Sequence, residues 1–420
     1  MVWPRQKQSQ LPVALSLDIG TEFAKVLVFE VSEDKALVIG HARERQRLSD
    51  MHGGGVTDIA GVITTCSKAI RAATEMAGRT PEQVVMGIAG ELVKGSTTTT
   101  SHVRKTANLP ITEAELKEII SKAQQETLTK SRRDLSWETG YAEIDVELVN
   151  SAVVAVKIDG YRVNNPIGFQ GRQVEVSIYT SYAPIVHLGA LQSIGDELGL
   201  EILSIATEPY AVARCFGDDM ADTSSIFIDV GGGTTDIAVV RSGGLEGTKM
   251  FALGGRVITK RIATAQKVSF TEAEQIKLAY VAGNLEEEDA IRVKQYLEDD
   301  VSVWLSGVEL ALEEFTQSER FIDNRLLPSK IYLCGGGSML PDLKEALEAH
   351  DWGSVLPFAR QPDVQFIRPQ DVANVRDTTN DLVGVQDVTP MALANIGIDL
   401  VREPSRTRGA LSRIFKGMRS

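Results

Sequence analysis

Apolar and polar positions along the chain switch between a strand period of two and a helical period of about 3.6. Residues 13–41 read as a three-strand meander: an apolar run from Val13, a turn Asp18-Ile19-Gly20-Thr21, and a second apolar run ending near Val31. The plan returns at 226–240, where Ile226-Phe227-Ile228-Asp229-Val230 leads through Gly231-Gly232-Gly233-Thr234-Thr235-Asp236 into Ile237-Ala238-Val239-Val240. A third apolar strand, Ile331 to Cys334, runs into Gly335-Gly336-Gly337-Ser338-Met339 and a helix opened by Pro341. Helical spacing predicts a helix over 57–77 (Ile59, Val62, Ile63, Cys66, Ile70, Ala73), with Thr57 as N-cap and Gly78 as stop. Pro110 opens another, with a Thr112/Glu115 capping box, and Pro184 a third, with Leu188, Leu191 and Ile194 on its stripe. Ser269 to Lys277 starts a helix in which Thr271 and Glu274 fit a capping box, and 291–317 forms a long amphipathic one through Leu297, Val301, Trp304, Val308 and Leu312. Residues 84–90 and 142–182 read as strands, and the Ser/Thr run 96–101 as an edge or loop without evident function.

The glycine turns carry the candidate chemistry. Glycine reaches positive φ and leaves no Cβ in the way of a ligand, so the N–H groups and hydroxyls at 231–235 can converge on an anion. Asp229, at the end of its strand, suits a hydrated Mg²⁺, which takes few carboxylates and several waters. A single such motif also fits an ordinary glycine hairpin, and the repetition at Asp18 and at Gly335 is what favours a site between two like halves.

Composition narrows the partners. A net charge of -13 argues against broad nucleic-acid binding. The three cysteines (Cys66, Cys215, Cys334) lack metal-ligand spacing and suit a reducing cytoplasm, with Cys66 on a core stripe. No run of about 18 apolar residues predicts a membrane-spanning helix, and the polar residues 1–12 argue against a signal peptide.

These turns, in this order, resemble the actin-like ATPase superfamily, which includes actin, sugar kinases, heat-shock chaperones, FtsA, MreB and PilM. Gly55-Val56-Thr57-Asp58, Gly87-Ile88-Ala89-Gly90, Asn165 to Arg172, Glu208-Pro209, Leu253-Gly254-Gly255 and Ala273-Glu274 to Lys277 fall in the order of the FtsA family, over roughly residues 13–400. The resemblance implies an α/β, actin-like fold of two lobes built on duplicated RNase H-like domains, with a β-rich SHS2-type insertion in the first lobe. It divides the chain into a first-lobe core (13–83 plus 184–224, 1A-like), the insertion (84–183, 1C-like), a second-lobe core (225–270 plus 331–400, 2A-like), a helical subdomain (271–330, 2B-like) and a tail (401–420).

It further implies ATP and Mg²⁺ between the lobes, with weak or no ATPase activity. Asp18 and Asp229 would hold the metal's water shell, and Gly20, Thr21, Gly231, Gly232, Gly233, Thr234, Thr235, Gly254, Gly255, Gly335, Gly336, Gly337, Ser338 and Met339 would meet the nucleotide. Glu274 and Lys277, one turn apart, would reach ribose and base edge. Glu208 would orient water, although an acid at a helix start is more often a dipole partner. The family function is a division scaffold that self-associates into filaments, binds the C-terminal tail of FtsZ and sits on the cytoplasmic face of the membrane. The alternative is a PilM-like platform for type IV pilus assembly. A sugar-type kinase lacks a recognisable catalytic Asp motif. Glu22 beside the first loop, and Arg256 and Lys260 after Gly254-Gly255, depart from the family pattern.

The end of the chain separates these readings. Residues 402–420 carry Arg402, Arg406, Arg408, Arg413, Lys416 and Arg419 against Glu403. Leu411, Ile414, Phe415 and Met418 share one helical face, opposite Arg413 and Lys416, which matches an interfacial amphipathic helix on an anionic membrane. A disordered basic tail fits the same composition.

Overall fold

A computed structural model describes residues 11–90, 93–139, 145–216, 224–316 and 326–402. The amphipathic segment with Leu411, Arg413, Ile414, Phe415, Lys416 and Met418 lies outside them. Strands β1 (Val13–Ile19), β2 (Phe23–Ser32) and β3 (Lys35–Arg45) form the expected meander, followed by a ribbon of β4 (Met51–His52) and β5 (Gly55–Val56). Helix α1 (Ile59–Ala77) then returns the chain to β6 (Gln83–Ile88), which lies parallel to β1. Asp58, not Thr57, caps α1 by accepting from the Gly61 amide, while the Thr57 hydroxyl donates instead to the Ser49 carbonyl. Gly78 ends the helix at φ 63°.

The next stretch comprises β7 (Lys94–Val103), α2 (Glu113–Thr139), β8 (Val146–Ile158), β9 (Tyr161–Val163) and β10 (Gln173–Pro184). Leu116, Ile119, Ile120 and Ala123 of α2 pack on Val156, Ile158, Val174, Val176 and Ile178 as a small core of their own. The Thr112 hydroxyl accepts from the Glu115 amide, as the capping pattern requires. Of the two readings, edge or loop, the Ser/Thr run takes the first: past Ser96 it pairs in the described ladder with β10 alone. It is the centre of β7, paired along its length with β10 and, at Gly95 and Ser96, with the second sheet. Threonine favours a pleated, half-exposed strand as readily as an apolar residue does.

Helix α3 (Ile185–Glu197), β11 (Glu201–Thr207) and α4 (Glu208–Ala213) complete the first sheet, whose order is β11-β6-β1-β2-β3 with β17 (Val375–Asp377) at its far edge. The second half repeats the plan: β12 (Ser225–Val230), β13 (Thr235–Arg241) and β14 (Gly244–Phe251) form a meander. Helices α5 (Gly255–Gln266), α6 (Phe270–Val281) and α7 (Glu287–Glu313) follow. Then β15 (Lys330–Cys334) lies parallel to β12, ahead of α8 (Pro341–Ala349), α9 (Trp352–Val355) and β16 (Asp363–Phe366). The second sheet runs β16-β15-β12-β13-β14-β7-β10-β8-β9, so it continues without a break into the strands of 94–184.

Helices α10 (Val388–Arg402), against the first sheet, and α4, against the second, pack together in the space between the sheets. Met391, Leu393 and Ile398 share one core with Phe29 and Val85 on one side and Phe227 and Cys334 on the other. Each sheet buries its other face under helices, α1 against the first and α5 and α7 against the second. Cys66 lies in the first of these cores, where burial pushes its thiol up to about 12. The capping box of α6 is Ser269 with Glu272, not Thr271 with Glu274. Two overlapping S/T-x-x-E patterns stand in the sequence, and the one nearer the incoming chain wins. Glu274 is thereby freed for another role.

Candidate functional site

The three glycine turns meet in one cleft of about 520 Å³ between the sheets. Asp18, Gly20, Thr21 and Glu208 line it from the first half. Asp229, Gly231, Gly232, Thr234, Gly254, Gly255, Glu274, Lys277, Gly335, Gly336, Gly337 and Met339 line it from the second. Gly233, Thr235 and Ser338 stand behind this wall. Gly233 packs against Thr21, where an added Cβ would come within 2.7 Å of the hydroxyl. Thr235 donates to the Leu253 carbonyl and accepts from the Trp304 indole, and Ser338 donates to the Gly335 carbonyl. These three shape the turns from behind.

The cleft floor is acidic. Asp18 is buried and paired with Lys25 at 2.8 Å. Asp229 accepts from Thr389 at 2.6 Å, and Asp236 from Thr234 at 3.0 Å. Burial pushes Asp236 up to about 8, helped by the charge of Asp229, and burial likewise raises Asp229 against the pull of its Thr389 bond. Glu208 is raised well above the carboxylate range, first by burial and then by Asp18, Asp236 and Asp229. Its Oε1 is buried without a partner. Burial, the largest single influence, would lower Lys25, but the charge and hydrogen bond of Asp18 together with the charges of Asp229 and Glu208 outweigh it and hold the ammonium protonated. Lys25 thus faces three carboxyl groups, Asp18, Asp229 and Glu208, with Asp236 acting on the last two, a balance that favours an added cation.

Among the described residues, no three His, Cys, Asp or Glu side chains converge to cage a metal directly. The donors fit instead a cation that keeps most of its waters and leans on a bound phosphate, as Mg²⁺ does. The third turn packs so closely on the Asp229 strand that it admits only glycine. Gly335 adopts φ 81°, and a Cβ there would fall 2.0 Å from the Asp229 carboxylate. Gly335→Ala should therefore cost about 1–3 kcal/mol, the range for strain at such a backbone position. A melting temperature equal to wild type in thermal unfolding would contradict this.

Glu274 and Lys277 do share a face. They pair with each other at 2.8 Å, Glu274 accepts from Thr259, and Lys277 also donates to the Gly255 carbonyl and to Thr259. Trp304, read from its spacing as core, is buried and also forms part of the cleft wall. Lys25, Asp236 and Thr389 are site residues that sequence reasoning missed; the signal at Lys25 is a cation three residues past Glu22 within a mostly apolar strand.

The sequence pattern of the family Cell division protein FtsA matches residues 226–383. The cell division protein FtsA of Streptococcus pneumoniae serotype 2 (strain D39 / NCTC 7466) is 25% identical over 350 residues, covering 78% of this chain and 71% of that one. The FtsA of Bacillus subtilis (strain 168) is 25% identical over 402 residues, covering 91% and 82%. The chain is thus similar to the FtsA cell-division proteins over most of its length. Among solved structures, a chain of the PilM-PilN type IV pilus biogenesis complex superposes with a TM-score of 0.63 at 18% identity, covering 92% of this chain and 98% of that one. At that identity the likeness concerns the fold, which is the actin-like ATPase fold, as the FtsA resemblance leads one to expect. No helix among the described residues is long and apolar enough to cross a membrane.

Proposed function

We propose that this FtsA relative is an actin-like division scaffold that binds Mg–ATP in the cleft, self-associates and tethers FtsZ to the inner face of the membrane. The observation that carries the nucleotide reading is the meeting of two Asp-bearing strand–turn–strand loops and a third glycine turn around a cation-deficient acidic floor. Asp18 and Asp229 would hold the water shell of the metal, and the N–H groups at 21 and 232–234 the phosphates, the Gly20 and Gly231 amides being used to close their own turns. The open turn at 335–339 would receive the base. A bound Mg²⁺ would supply charge neutralisation for the phosphates. Glu208, one oxygen free and facing the cleft, would position a water; its raised proton affinity makes it a poor base at neutral pH and suits slow turnover.

The domain reading places 13–83 with 184–224 and 225–270 with 331–400 as the lobe cores, 271–330 as the helical subdomain, and 84–183 as the module for contacts with other copies or partners. The tail supports the tether over the PilM-like platform. Full burial of Leu411, Ile414, Phe415 and Met418 contributes about 1.5–3 kcal/mol each. Each nearby Arg or Lys adds roughly 1 kcal/mol on an anionic leaflet. A short helix with Gly417 forms at a cost, so one copy binds weakly, and many copies along a polymer bind strongly.

Flotation with anionic and neutral liposomes tests this, comparing the full chain with one ending at Thr407 and with Ile414→Glu and Phe415→Glu. Only the full chain should float, with anionic lipid and less at high salt. Equal flotation of the truncated chain would remove the tether and favour the pilus platform.

A further inference from the structure

Two residues set aside above, Glu22 and Arg256, turn out to be partners. Glu22 follows the first phosphate loop, and Arg256 is the second residue of α5, in the other half of the molecule. Arg256 Nε donates to the Glu22 carboxylate at 2.7 Å, one terminal nitrogen to the Thr21 carbonyl at 2.6 Å, and the other to the Met51 carbonyl at 3.1 Å. The second Glu22 oxygen is held by Arg45 of β3 at 2.6 Å. Both side chains of the cross-cleft pair are only 12% exposed. A surface ion pair is worth little. A shielded pair whose guanidinium also satisfies two carbonyls is costly to break from either side.

Position gives the pair its meaning. The amides of Gly255 and Arg256 donate to the carbonyls of Gly231 and Gly232, so the start of α5 is fixed to the second phosphate loop. The Gly20 amide donates to the Phe23 carbonyl, which fixes Glu22 in the first loop. Gly232 lies so close to Glu22 that a Cβ there would meet the Glu22 Cβ at 2.7 Å. The ion pair therefore ties loop to loop directly, and Glu22 and Arg45 stand on the cleft wall at that end.

We propose that Glu22 and Arg256 form a latch joining the two phosphate loops, which must open for a bound nucleoside phosphate to leave. The ligand in this statement rests on the nucleotide reading above; the latch itself rests on geometry. Glu22 and Arg256 are positioning residues, and a simple charge effect makes a different prediction. If only local charge mattered, removing Glu22 would tighten phosphate binding and removing Arg256 would loosen it. A latch gives both substitutions the same sign.

The test uses the full chain with a fluorescent ATP analogue and Mg²⁺, chased by excess ATP in stopped flow. Glu22→Ala and Arg256→Ala should each speed release by about tenfold, as expected for loss of one shielded contact. The double variant should release no faster than the faster single, because both remove the same contact. Opposite signs, additive rates or unchanged release would each overturn the latch. If the wild-type chain binds no nucleotide, the functional reading fails and the latch is read without ligand. Hydrogen exchange at the amides of 20–22 and 255–257 should then be faster in both variants, and exchange equal to wild type would sink it.

Discussion

Asp229→Asn is expected to weaken Mg²⁺-dependent nucleotide binding while raising the melting temperature of the nucleotide-free protein. The two effects have one cause. The Asp229 carboxyl is buried beside Asp18, its proton affinity is raised by that burial, and it retains one good hydrogen bond, from Thr389 at 2.6 Å. Asparagine keeps an acceptor for Thr389 and removes a charge the empty cleft does not want. A cation held through water loses its orienting anion, and such outer partners are typically worth about 10–100-fold in metal affinity. Sites assembled for a ligand commonly cost stability in its absence. Titration calorimetry with and without Mg²⁺, beside thermal unfolding, measures both. Unchanged affinity would remove Asp229 from the site, and a lower melting temperature would mean that its charge is compensated in the empty protein.

The nucleotide-free protein should also lose stability as pH rises from about 4 to about 8. In the unfolded chain Asp236 ionises near 3.8; in the folded protein burial holds its proton to about 8. Glu208 and Asp229 are displaced in the same direction. The folded state thus binds more protons across this window, so stability is full below the unfolded value and is lost as pH climbs through the folded one. Lys25, raised from 10.5, stays protonated throughout and adds no slope here. Each displaced unit is worth about 1.4 kcal/mol, and a fall in melting temperature of about 5 °C or more between pH 5 and 8 is expected. Mg²⁺ with ATP should reverse the fall at pH 8, and Asp236→Asn should flatten it. Stability rising steadily with pH would show that the carboxyls are already neutralised by other means.

The parts of this site that sequence revealed are those that glycine and chain order encode. The turns at 18–21, 231–235 and 335–339 are legible because a strand cannot end in Gly-Gly-Gly without a reason, and two of them carry an aspartate at matching places. What stayed hidden depends on distance across the fold. Glu22 and Arg256 looked like separate oddities because they stand 234 positions apart. Lys25 looked like a polar interruption of β2 until Asp18 was seen opposite it in the β1–β2 register. Glu274 was legible as a site residue beside Lys277, but its sequence also fitted a capping box with Thr271, and the structure gives that role to Ser269 and Glu272. The run 96–101 carries no apolar alternation; it pairs with β10 along its length and with β14 only at Ser96, and both partners come from distant parts of the chain.

That last strand has a mechanical consequence. Residues 94–184 are joined to the first sheet by covalent chain at both ends, through β6 and α3, and to the second sheet by the hydrogen-bonded seam between β7 and β14. The seam is short, pairing Ser96 with Gly247 and Gly95 with Thr248. It is also tight: a Cβ on Gly95 would fall 2.1 Å from the Tyr179 hydroxyl and 2.4 Å from that of Thr248. The molecule is therefore a closed linkage of three bodies, not two jaws with an appendage. In a closed linkage no joint turns alone, so a change in the gap at the cleft is taken up either as rotation of 94–184 or as rupture of that seam and of the side-chain bonds beside it, from Thr97 to Leu245, Arg162 to Ser242 and between Tyr179 and Thr248.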